Sequence, residues 1–81
     1  MTEANIANNL AERLGPKTGL GLDVFVAIAN GLEAHRELRG FAKSIGFRIS
    51  MSDARITHAL LSLAGAEVEI DDVIRALNSD R

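Results

Sequence analysis

Along nearly the whole of this 81-residue chain apolar residues return every three or four positions, and only over 47–51 do they alternate with polar ones. A period near 3.6 turns one stripe of a helix inward, whereas alternation sends side chains to the two sides of a strand. The chain is therefore expected to be all-α, a small bundle of four to five short helices with one extended link. Its length supports one core rather than two, so residues 1–81 read as a single helical domain.

Ile6, Leu10 and Leu14, with Ala7 and Ala11 beside them, place a narrow apolar stripe on a first helix that Thr2 caps and Gly15-Pro16 ends. The segment "GPKTGLG" then reads as a turn that no helix crosses. A second helix starts near Leu22 or Asp23. Leu22, Val24, Phe25, Val26, Ile28 and Leu32 make its first half apolar almost all round, as in the central helix of a bundle, while its charged second half emerges toward solvent. Gly31 marks a close neighbour or a bend, and Gly40 ends the helix ahead of a separate helical turn at "FAKSI". Residues 47–51 then form either an extended strap lying on the core or a strand paired with a second chain.

Ser50 or Ser52 caps a third helix, with Ile56, Ala59, Leu60 and Leu63 on its inner face and Gly65 as its stop. In the last helix Val68 and Val73 stand at staple spacing, and Asp71 and Asp72 suit the positive end of the helix dipole. Ile70, Ile74 and Leu77 supply its apolar face.

Composition excludes several chemistries. With no cysteine there are no disulfides, thiolate nucleophiles or Cys-based zinc sites, and with three Phe and no Trp or Tyr the core is aliphatic. The start, "MTEANIANNLAERLG", has neither a basic lead nor a continuous apolar run, so it is not a secretory signal, and a cytoplasmic protein is expected. His35 and His58 have no His or acid at i+4, which argues for a surface His35 and a surface or half-buried His58 rather than metal ligands. No serine sits in a nucleophile elbow, "GPKTGLG" lacks the terminal Gly-Lys-Ser/Thr of a phosphate loop, and Glu67, Glu69, Asp71 and Asp72 lack calcium-loop spacing. No catalytic, cofactor-binding or metal-binding residue is assigned, and an enzyme is not expected.

Charge is unevenly spread: −2 over 1–34, +3 over 35–58 and −3 over 59–81. The basic middle contains "FAKSIGFRISMSDARI", which has the small residue (Ala42), turn glycine (Gly46) and aliphatic contact (Ile45) of a DNA-reading helix-turn-helix. Its second half departs, because the next buried positions fall on Ser52 and Arg55, so the motif needs an insertion in "FRIS". In that reading Arg39, Lys43, Arg48 and Arg55, with Arg36, contact phosphates. The net acidic charge favours the other class, a protein that binds protein. Its contact face is expected on the third and fourth helices and the link, through Phe47, Ile49, Met51, Arg55, His58, Glu67, Glu69 and Asp72.

Over "SDARITHALLSLAGAEVEIDDVIRAL", and more loosely elsewhere, the chain resembles the small antiactivators that silence quorum-sensing activators of rhizobial conjugative elements, the QseM type. The resemblance implies a helical protein that sequesters a LuxR-type transcriptional activator and a second activator of element excision, with no enzymatic step and no DNA contact. The same stretch is loosely similar to the end of a histone fold, whose DNA-wrapping role the acidic charge argues against.

Overall fold

A computed structural model describes residues 3–78, with side chains from Ile6 onward. Four helices make up the fold: α1 (Glu3–Thr18), α2 (Leu22–Ser44), α3 (Asp53–Leu63) and α4 (Ile70–Leu77). α1 packs on α2 and α4, and α3 packs on the same two, so the helices close a four-sided ring. Ile6, Leu10 and Leu14 of α1, Phe25, Ile28 and Leu32 of α2, Leu61 of α3 and Val73 of α4 meet in one core.

The expected stripe of α1 faces inward, but the helix does not stop at Gly15-Pro16. It runs through to Thr18, and Gly19 N–H still donates to the Gly15 carbonyl at 2.9 Å. A proline lacks only its own N–H bond to the residue four back, and this one sits in the last turn, where little helix remains to be disrupted. The turn is therefore residues 19–21, and the start cap expected from Thr2 lies outside the described residues.

α2 departs more widely from expectation. It is one unbroken helix of 23 residues, about 34 Å long, with Gly40 inside it and no separate turn at "FAKSI". Leu22 and Val26 face solvent, so α2 forms one side of the ring rather than its centre. Gly31 is the close approach: a Cβ there would lie 2.8 Å from Leu60 Cδ1 of α3. Beyond Leu32 only Ala42 of this helix is buried, and the rest of the second half is exposed or half-buried.

Gly46 stops α2 and Gly65 stops α3 by the same device. Each has positive φ (88° and 90°), and the residue after it donates back across the last turn, Phe47 N–H to Ala42 O and Ala66 N–H to Leu61 O. Residues 47–52 have no strand partner among the described residues and form an extended link. Ser52, not Ser50, caps α3 by accepting from Arg55 N–H at 3.3 Å.

The inner faces of the two short helices are rotated from the expected ones. In α3 Thr57 and Leu61 are fully buried, Ile56, Ala59 and Leu60 are half-buried, and Leu63 is 83 % exposed. In α4 Val73 and Ala76 are buried and Leu77 half-buried, while Ile70 and Ile74 lie at the surface. The staple explains α4: Val68 precedes the N-cap Glu69 and packs on the core beside Val73, which turns the 73–76–77 line inward.

Gly40→Ala is expected to stabilise by about 0.5–1 kcal/mol, because the backbone is helical and nothing stands within 4 Å of the added Cβ. Gly65→Ala, which forces positive φ on a side chain, is expected to cost about 1–2 kcal/mol. Opposite shifts of the urea midpoint check the pair. Thr57 Oγ1 is buried with no hydrogen-bond partner among the described residues, so Thr57→Val, of the same shape, is expected to raise stability by about 1 kcal/mol in the same titration.

Candidate functional site

Where α2 leaves the bundle, an acidic side chain from the next helix gathers its cations. Asp53, the first residue of α3, accepts a hydrogen bond from Arg36 Nε at 2.9 Å and holds Arg39 Nη1 at 3.2 Å in an ionic contact. Glu33 takes the Nη1 of the same Arg36 at 3.1 Å. Asp53 also sits at the positive end of the α3 dipole, so one carboxylate is favoured by two guanidiniums and a helix terminus together.

The link is tied to the same end of α2. His35 Nε2 is 2.9 Å from the Met51 carbonyl, which can only accept, so Nε2 carries the proton. With Gly46 turning the chain at one end and His35 holding it at the other, residues 47–51 lie against the charged side of α2. The result is a groove of about 550 Å³ lined by Arg36, Arg39, Gly40, Lys43, Phe47, Arg48 and Ile49. Phe47 is 69 % exposed and Ile49 half-buried. Lys43 and Arg48 have no carboxylate within ion-pair distance among the described residues, so their charge is offered to solvent.

The residues expected to form one contact face are divided among three depressions. Phe47 and Ile49 line the groove, where four of the five cations expected to meet DNA, Arg36, Arg39, Lys43 and Arg48, join them. Met51, Arg55 and His58 line a second depression with Ala59 and Ile70. His58 also borders a third, of about 400 Å³, with Glu67, Glu69, Asp72 and Lys17.

Two of these side chains have structural partners. His58 Nε2 donates to the Val68 carbonyl at 2.9 Å and so fixes the link before α4. Asp72 joins α4 to α1 through Lys17 at 3.1 Å and also pairs with Arg75 at 3.0 Å. His35 is half-buried and bonded rather than free at the surface. Arg36, expected among the phosphate contacts, is instead paired with Glu33 and Asp53; its spacing of three from Glu33 was the available signal.

The helix-turn-helix layout is not the one the opening motif requires. Eight residues, 45–52, separate α2 from α3 in place of a tight turn, and α3 begins with Asp53 and carries Arg55 as its one permanent cation. Among the described residues no three His, Cys, Asp or Glu side chains gather as a metal site, and no helix is long and apolar enough to cross a membrane. Comparison with known protein families, curated proteins and solved structures found no match to this chain.

Proposed function

We propose that this chain is a small non-enzymatic regulatory protein that acts in the cytoplasm by binding and inhibiting another protein, with a transcriptional activator as its target. The observation that carries the reading is the groove at the end of α2, where an exposed phenylalanine and a half-buried isoleucine lie beside two uncompensated cations, Lys43 and Arg48. Apolar anchors ringed by charge suit a protein segment that brings its own apolar side chains and carboxylates. The resemblance to antiactivators of quorum sensing and conjugative transfer agrees with such a target. Contacts from Met51, Arg55, Glu67 and Glu69 then extend the footprint along α3 and the 66–69 link.

A second reading has an observation of its own. Arg36, Arg39, Lys43 and Arg48 line one groove, and four cations in a row fit a phosphate backbone as well as a carboxylate-bearing protein. Against it, Asp53 and Glu33 already neutralise Arg36 and Arg39, and the helix that would enter the major groove presents an acid at its tip.

A nuclease-treated pull-down from host lysate separates the two. The protein-binding reading expects a transcriptional regulator that survives nuclease and is lost with Ile49→Asp. That substitution lies outside the buried core cluster, so helical circular dichroism is expected to persist. Recovery of DNA alone, abolished by nuclease and weakened in Arg48→Ala with a shallower salt dependence, would overturn it.

A further inference from the structure

α2 carries a second apolar face that the bundle leaves open. Ala34, Leu38, Phe41 and Ile45 follow one another at steps of four, three and four, with Ala27 one heptad earlier, and all are exposed. Leu38, Phe41 and Ile45 are 56, 62 and 55 % exposed, a concentration of large apolar side chains that single surface residues do not produce. Steps of three and four are the spacing of a helix-pairing seam. The helical repeat puts this seam on the side of α2 opposite Phe25, Ile28, Ala29 and Leu32, so the whole bundle lies behind it.

From this face we infer that two copies of the chain pair through α2, with Leu38 and Phe41 at the crossing. No charged residue lies in the seam, and the positions beside it are Glu37 and Ser44 on one flank and His35 and Ala42 on the other. A face without charge meets its own copy without repulsion, whereas a charged partner would find nothing here to select it.

The area suits a weak, concentration-dependent dimer. The exposed parts of Leu38, Phe41 and Ile45 amount to roughly 300 Å² per copy, and the flanking residues bring the pair toward the lower limit of about 1,200 Å² for specific interfaces. A chain whose buried core is this small is the kind that oligomerisation commonly reinforces. The groove lies on the opposite side of α2, so pairing leaves it open, and this inference stands or falls independently of the proposed function.

Sedimentation equilibrium tests it directly. The expected mass rises from 8.7 kDa toward twice that value between about 10 µM and 1 mM. Leu38→Glu and, separately, Phe41→Glu are expected to hold the mass at one chain throughout with helical circular dichroism unchanged, and Leu63→Glu, at an exposed position outside the seam, to leave the dimer intact. A wild-type mass that stays at one chain up to 1 mM, or a dimer that persists in folded Leu38→Glu or Phe41→Glu, would overturn the inference.

Discussion

Asp53 is the constraint on which the outer part of this molecule depends. A helix that leaves its bundle loses the burial that kept it helical, and propensity alone supports about three turns only marginally. Beyond Leu32, α2 buries little except Ala42, yet it continues to Ser44. Asp53 holds it there through Arg36 and Arg39, and His35 fixes the link that brings Asp53 into place. The same contacts decide which cations are neutralised and which, Lys43 and Arg48, remain available. Fold and site are therefore set by one cluster of polar groups, partly shielded from water, where such pairs are worth more than at an open surface.

α2 is best understood as a helix with two sides. One packs on α1 and α3 in its first half and carries the cations that the link covers in its second, and the other is the apolar seam. Its first half is apolar almost all round because Leu22 and Val26 add exposed apolar residues to the buried face. A helix with that composition is ordinarily assigned to the centre of a bundle. Here it belongs to an edge, and the apolar residues left over are surface.

Much of the architecture was legible in the residues. The stripe of α1, the Val68–Val73 staple, the Ser52 cap and the Gly65 stop all rest on local chemistry that needs no tertiary context. Gly40 and Pro16 are breakers by propensity, yet tertiary contacts on either side of Gly40 outweigh a cost of about 1 kcal/mol, and Pro16 sits where its missing bond matters least. The face of α4 was misjudged because Ile70 and Ile74 are more apolar than Ala76, while the staple fixes rotation by position and not by hydrophobicity. Of the candidate site, the residues of the link and the basic cluster could be named individually. Their assembly into one groove could not, since it depends on contacts 16 and 17 residues apart, from His35 to Met51 and from Arg36 to Asp53.

The central claim is that Asp53 holds the second half of α2 and thereby builds the groove. Amide hydrogen exchange on the wild type and on Asp53→Ala tests it residue by residue. The account predicts that protection over 36–44 falls by about tenfold or more while the amides of Leu10 and Leu14 in α1 keep theirs, because the clamp is local and the core is not. Unchanged protection over 36–44, or an equal loss in α1, would contradict it.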